Sequence, residues 1–336
     1  VTVRKPIVIV KGPKTANLID VWGDTLTKIK LHDATAHDSD TCTLTFRVAP
    51  PFPALPPKGT RYEVSVGWAA SAMAKAGIYT VQRSAFSGDP ESGHEITVEC
   101  RAADLSDKVK TVDSGHWDDK TLGEIVDDVA RTMGKTTLID PELRSIKIPY
   151  RARLDQEAAD FLSDLADDFG GAYKVAGDKV IMTVRGSGRS ASGAALPTIT
   201  VTYEPSYEFH FEFEPRGDYA ESVAGWYDDE TGTWVDESDE GTGKGRLASP
   251  HRRPSKSEAK HAAKAKRGER HRQSATGSVQ GPGDPAAVAG CPVIAKGYGP
   301  DADGTAWVSA SIDHDIDPGN GWIMTIDLET KEKKKA

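Results

Sequence analysis

The sequence predicts a mainly β fold with an α+β middle region, and three observations carry that expectation. Short runs of alternating apolar and polar residues fill the first hundred residues and return from Thr198 onward. Two segments of helical period lie between them. Gly- and Pro-rich punctuation separates the runs. Alternation with period two buries one sheet face and wets the other, whereas apolar residues three and four apart line one face of a helix.

The elements follow in order. Ile7–Val10 is a β-branched run, and Thr25–Leu31 alternates through Leu26, Ile29 and Leu31 with one slip. Thr43–Val48, Tyr62–Trp68, Ile78–Gln82 and Glu95–Cys100 continue the series, so a compact antiparallel barrel or sandwich is the simplest arrangement. The Pro50–Pro57 stretch cannot be a central strand and reads as a stiff connector. Thr121 and Glu124 fit a capping box, followed by Leu122, Ile125, Val126, Val129, Ala130 and Met133 on one helical face, with Gly134 as the stop. A second helix is expected over Asp155–Phe169, then a hairpin of Tyr173–Val175 and Val180–Val184 around Gly177-Asp178. Gly186–Gly193 reads as a linker. Strand-like runs return at Thr198–Tyr203, Tyr207–Glu212, Tyr219–Tyr227, Val293–Ala295, Trp307–Ile312 and Trp322–Leu328. An acidic loop, Asp228–Glu240, and a basic segment, Arg252–Arg272, lie among them, and the tail Lys331–Ala336 is expected to be disordered.

Composition narrows the function classes. The 336 residues are long enough for two or three domains, and 38% hydrophobic content supplies their cores. No apolar run approaches the ~20 residues of a membrane-spanning helix, and no hydrophobic secretory segment opens the chain. Neither membrane insertion nor export is therefore expected. Three widely spaced cysteines exclude a dense disulfide framework and a CxxC-type zinc site, which suits a reducing cytosol. A formal net charge of −9 disfavours wholesale nucleic-acid binding.

The motifs that suggest chemistry lack necessary parts. Gly241-Thr242-Gly243-Lys244-Gly245 misses the glycine spacing and the hydroxyl residue of a phosphate loop. Gly188–Gly193 never reads G-x-S-x-G. Asp313, Asp315 and Asp317 match the first spacings of a calcium loop, but Pro318 stands at the glycine position and Met324 at that of the bidentate Glu. No histidine pair has H-E-x-x-H or comparable spacing. No catalytic, metal or cofactor residue is assigned. The basic segment remains: nine Lys/Arg against two Glu, with Lys256, Lys260 and Lys264 on one stripe and alanines that favour helix. Its plainest reading is a solvated helix. A second reading brings Lys256, Lys260, Lys264 and Arg267 against the acidic segment that holds Asp228, Asp229 and Glu230, within or between subunits. Nucleic-acid contact ranks third, because the segment has no aromatic residue for base stacking.

The order of these features resembles the phage late control protein D family. The resemblance is carried by Thr121–Val126, by Leu154-Asp155-Gln156 through Asp160-Phe161-Leu162-Ser163-Asp164-Leu165-Ala166, by Gly170-Gly171-Ala172, Gly186-Ser187-Gly188 and Ala195-Leu196-Pro197, by Tyr219–Asp228, and by Gly281–Gly290 before Cys291. It is strongest from about residue 120 to 330 and weak in the first hundred residues. It implies a baseplate hub of a contractile-tailed phage or tail-derived particle, similar to the hub part of type VI secretion valine-glycine-repeat spike proteins. The implied fold has two tube-like antiparallel β-barrels joined by a small α+β domain. They would occupy residues 1–103 and 189–330, with 104–188 between them and 331–336 as the tail. The implied role is a homotrimeric, non-enzymatic adaptor in the virion tail, assembled in host cytoplasm. It would join the tail tube protein to a central spike protein, start tube assembly, and contact baseplate wedge and tape-measure proteins. It would read no nucleic-acid sequence. A cell-wall-degrading hydrolase of the tail tip is the alternative.

Overall fold

The computed structural model describes residues 5–13, 17, 25–35, 39–69, 71–91, 93–102, 112–214, 219–241, 244–317 and 321–331. Residues 332–336 of the expected tail, Thr242-Gly243 of the rejected phosphate loop and Pro318 of the rejected calcium loop lie outside them.

The first β region comprises β1 (Pro6–Lys11), β2 (Leu26–Ala34), β3 (Thr41–Val48), β4 (Arg61–Trp68), β5 (Ala74–Asp89) and β6 (Gly93–Arg101). The alternation in sequence becomes alternation in burial. Cys42, Leu44 and Phe46 of β3 turn inward with Tyr62, Val64 and Val66 of β4, while their polar neighbours do not.

The middle contains β7 (Val112–Thr121), α1 (Leu122–Thr132), β8 (Thr136–Ile139), α2 (Pro141–Arg144), β9 (Lys147–Glu157), α3 (Ala158–Asp168), β10 (Gly171–Ala176) and β11 (Lys179–Val184). The capping box of α1 is made: Glu124 N–H donates to Thr121 Oγ1 at 3.2 Å, and Thr121 N–H donates to Glu124 Oε2 at 2.8 Å. Ile125, Val126 and Val129 of α1 meet Phe161, Leu162 and Leu165 of α3 in a separate core. The second helix starts at Ala158 rather than Asp155 because β9 pairs with β7 as far as Val112↔Glu157. Asp155 takes a left-handed φ of 45° just before the helix, a conformation that Asp tolerates better than most residues. The expected linker is folded into tight turns, in which Ser190 N–H donates to the Ala194 carbonyl and Arg189 Nη2 to Glu142 Oε1 at 2.7 Å.

The rest of the chain supplies β12 (Ile199–Thr202), β13 (Phe209–Phe213), β14 (Glu221–Asp228), β15 (Thr233–Glu240), β16 (Arg246–Ala248), α4 (Lys256–Arg272), β17 (Ala275–Pro282), β18 (Pro292–Lys296), α5 (Pro300–Gly304), β19 (Trp307–Asp317) and β20 (Gly321–Thr330). The segment expected as an acidic loop is a hairpin, β14–β15. Its second strand has acids on both faces, so no apolar alternation announced it.

Twelve strands of the two β regions join in a single sheet. Its path runs β1-β4-β5-β6-β3-β2-β19-β20-β17-β13, with β18 beside β19 and β12 beside β18. The first six strands are ordered β1-β4-β5-β6-β3-β2 and the second six β12-β18-β19-β20-β17-β13. Counted in chain order within each set, both read 1-4-5-6-3-2. One pair departs from the match: β1 is antiparallel to β4, whereas β12 is parallel to β18. The mainly β expectation holds, but the strand pairing does not show the two tube-like barrels expected within it. Among the described residues neither set closes on itself, because β2 gives its second edge to β19 of the other set. Ile316 and Trp322, at the tip of the β19–β20 hairpin, are buried in the core of the first set.

Candidate functional site: a charged lobe and a three-way junction

The lobe grows out between β13 and β17. Small side chains set its packing: Ala259, Ala262 and Ala263 of α4 lie against Ala224 of β14, with Trp226 half-buried beside them. Ser255 caps the helix, its Oγ accepting from Glu258 N–H at 3.3 Å. With so little apolar contact, charge fixes much of the geometry. Lys256 Nζ lies 3.8 Å from Glu237 Oε1, and Arg267 Nε donates to Asp239 Oδ2. Asp168 of α3 accepts from Arg253 Nη1 at 2.6 Å and Arg151 Nη1 at 2.8 Å, which bolts the lobe to the α+β middle. Arg272 Nε reaches Glu329 Oε1 of β20 at 3.7 Å. Burial pushes the Glu258 carboxyl up, against the pull of its Ser255 hydrogen bond and of Arg151 and Arg253. Burial, with Lys264 and Lys260 nearby, pushes the His261 imidazole down.

The expected residues thus separate. Lys256 and Arg267 meet Glu237 and Asp239 of β15, five and seven residues beyond the turn at Gly232. Lys260 and Lys264 are exposed on α4. Asp228 organises the hairpin turn instead of meeting the helix: its carboxylate accepts from Glu230 N–H at 3.0 Å and Thr231 Oγ1 at 2.9 Å. Asp229 and Glu230 are exposed on that turn. On the opposite face of the hairpin, the Tyr227 and Trp234 rings lie 5.1 Å apart, and the Arg252 guanidinium sits 4.6 Å over Trp234.

A second cluster was invisible in sequence. Lys174 of β10 donates to Asp33 Oδ1 at 2.9 Å, to Asp40 Oδ1 and Oδ2 at 3.1 Å, and to the Ala34 carbonyl at 3.3 Å. Asp33 Oδ2 also accepts from Ala289 N–H at 2.8 Å. The ion cluster therefore touches the first strand set, the middle and the second set at once. Burial alone would raise the Asp33 carboxyl, but Lys174 and the Ala289 amide hold it below its ordinary value. Asp40, with burial and the Asp33 charge outweighing Lys174, is pushed up to about 6. Burial acts to lower the Lys174 ammonium, and its two carboxylates overcome this and raise it. The partners lie 141 and 134 residues apart in the chain, so no local spacing could have announced them. A cavity of about 380 Å³ adjoins the cluster.

The three aspartates of the rejected calcium loop are strand residues, and two of them have basic partners. Asp313 Oδ1 lies 2.8 Å from His32 Nδ1, and Asp315 Oδ2 lies 2.8 Å from Lys28 Nζ. Among the described residues, no group of three or more His, Cys, Asp or Glu is placed to hold a metal ion. No described helix is long and apolar enough to cross a membrane.

Comparison with known proteins decides the family. The sequence profile of the phage tail baseplate hub family matches residues 44–320. The chain belongs to that family. A probable baseplate hub protein of Escherichia phage P2 is 30% identical over 203 residues, which are 60% of this chain and 52% of that protein. The chain thus spans about half the length of the curated relatives it matches. Solved structures share the fold at low identity. The 43 kDa tail protein of prophage MuSo2 from Shewanella oneidensis superposes with a TM-score of 0.65 at 14% identity, covering 96% of this chain and 98% of the other. The Escherichia coli c3393 protein, a type VI secretion component with structural similarity to phage T4 tail proteins, gives 0.56 at 9% identity, over 96% of this chain and 77% of that one.

Proposed function

We propose that this hub protein is a non-catalytic, homotrimeric adaptor between a six-fold tail tube and a three-fold central spike. The observation that carries the reading is the doubled strand order: one chain holds two sets of six strands, each ordered 1-4-5-6-3-2, joined edge to edge. Three copies then offer six similar positions to a tube, while everything present once per chain repeats three times. On this reading, residues 1–103 and 189–330 are tube-like modules that become parts of a hollow wall in the assembly, and 104–188 is the domain between them. The first tube ring nucleates on the six positions. The lobe, with Lys260, Lys264, Asp229 and Glu230 exposed, faces spike, wedge or tape-measure neighbours.

Two measurements test this reading. Imaging of tail particles with a labelled chain is expected to place the label at the junction of tube and spike, and label along the tube or sheath would overturn it. Purified chain is expected to release no fragments from peptidoglycan. Release that disappears on replacing a single carboxylate would move the assignment to a tail-tip hydrolase.

A further inference from the structure

The first strand set buries two of the three cysteines side by side. Cys42 of β3 and Cys100 of β6 face each other across the antiparallel ladder, 0% and 1% exposed, in the core that Tyr62 and Tyr79 share. Directly opposite residues of such a ladder point to the same face, with Cα atoms about 4.5–5.5 Å apart, inside the range that a disulfide spans. Both are thiols in this structure. Cys291 belongs to the other core, where Ser309 Oγ donates to its Sγ at 3.5 Å.

Folding seals the pair from reagents. Burial pushes the Cys100 thiol up to about 12, and burial with Cys100 alongside raises the Cys42 thiol well above its ordinary value. Little thiolate forms, so the closed core is inert to exchange. The way in runs through the three-way junction. The pair lies one step inside the ladder's end at Thr41↔Arg101, and β2 and β5 flank it, with Leu31 opposite Cys42 and Val81 opposite Cys100. Beyond that end, the middle of the chain holds both strands. Lys174 grips the Asp40 carboxylate at 3.1 Å, and Gly177 N–H donates to the Ala102 carbonyl at 2.9 Å. Tyr79 links junction and thiols. Its hydroxyl donates to the carbonyl of Ala76, which lines the cavity beside Asp33, Asp40 and Lys174. Burial pushes that hydroxyl up, and Cys42, Asp40, Asp33 and Cys100 add to the effect, so one group borders the thiols and the ion cluster together.

We propose that Cys42 and Cys100 form a latent cross-strand disulfide, which closes when the middle releases the ladder's end and a small-molecule disulfide gains access from the cavity side. Closure takes two exchanges. The Cys100 thiol loses its proton and attacks the small disulfide; one of its sulfurs bonds to Cys100 Sγ, and the other leaves as a thiolate that takes up the proton. Cys42 then loses its proton and attacks Cys100 Sγ, expelling the second small thiol. The pair gives up two electrons and two protons, and one small disulfide becomes two thiols. Reducing surroundings keep the pair open and oxidising ones close it. Closure asks the Cβ atoms to approach to about 3.5–4.5 Å, a movement that a ladder's end takes up more readily than its centre. The bond ties β3 to β6 over a long loop, which constrains the unfolded chain and stabilises the set.

The test incubates the reduced full chain with oxidised glutathione. The expected product is a single chain lighter by two hydrogens and free of glutathione, in which thiols counted after denaturation fall from three to one. Peptide mapping is expected to join Cys42 to Cys100. Cys291→Ala still closes, whereas Cys42→Ala and Cys100→Ala do not. Closure raises the urea midpoint, and reductant restores the original value. Lys174→Met/Asp40→Asn, which drops the grip on the ladder's end without stranding two carboxylates, is expected to close at least about tenfold faster in native buffer. A chain that keeps three free thiols, both in native buffer and at urea just below its midpoint, overturns the proposal. So does a stable glutathione adduct without closure, a bond that involves Cys291 or a second chain, or a closed form that unfolds at lower urea than the reduced one. Equal closure rates for the native chain and the Lys174 variant overturn the route through the junction, and the proposal with it.

Discussion

His314 shows how one position carries opposite demands. Trp322 Nε1 donates to its Nδ1 at 3.1 Å, which requires that nitrogen to be unprotonated. Burial pushes the imidazole down to about 4, against a weaker upward pull from Asp33, Asp313 and Asp284. The fold therefore favours neutral His314; its contribution is complete above the ordinary value near 6.5 and is lost as pH falls from there toward 4. Over that window the loss is about 3 kcal/mol. His314→Phe, which keeps an aromatic ring but no titrating nitrogen, is expected to flatten the dependence when urea unfolding at pH 7 and pH 4.5 is compared. Asp40 works in the other direction. Its folded value of about 6 exceeds the ordinary 3.8, so the native state holds the extra proton between those limits and Asp40 loses stability as pH rises through them. Asp40→Asn is accordingly expected to steepen the acid loss in the same pair of measurements.

At the level of elements, legibility followed apolar contrast. β3 and β4 were readable because Leu44, Phe46, Val64 and Val66 alternate with polar residues and become the buried face. α1 was readable from its capping box and its stripe. β15 was not: Glu237 and Asp239 take inward positions because Lys256 and Arg267 of α4 neutralise them. The apolar half of the alternation is replaced by charge supplied from elsewhere in the chain. β7 escaped for a related reason, since nearly all its residues are exposed and its ladder with β9 fixes it. α4 itself was foreseen as a helix, but the particular acids it reaches were not. Because its apolar seat consists mainly of alanines, it should be sensitive to capping. Ser255→Ala is expected to cost about 1 kcal/mol, read as faster amide exchange in the first turns of α4 while β14 exchange is unchanged.

Across the whole molecule, sequence order conveyed the alternation of β, α+β and β, but not the repeat within it. Laid over each other at their register shifts, the β5–β6 and β19–β20 ladders set Val81 against Ser309, Phe86 against His314 and His94 against Trp322, and only the Asp-Pro-x-x-Gly pattern of residues 89–93 and 317–321 survives as text. What was conserved between the halves is backbone pairing, which side-chain pattern reports only indirectly. Lys174 holds the halves and the middle together, so its loss should reach further than its size suggests. Lys174→Met leaves Asp33 and Asp40 facing each other away from solvent and is expected to cost about 3–5 kcal/mol in denaturant unfolding. Adding Asp40→Asn should recover part of that loss by removing one of the two stranded charges.

The lobe also has a geometric consequence. Between β13 and β17 the chain inserts β14 through α4, whereas the corresponding passage from β2 to β3 takes only residues 35–40. In the proposed trimeric wall, odd and even segments would then differ on the rim that carries the lobe while staying alike along their strands. A body docking on that rim could settle only at rotations of one third of a turn; displaced by half that angle, it would ride up on the protrusions. One insertion, made in one half of a doubled plan, would be enough to give such a rim a rotational index that the wall itself lacks.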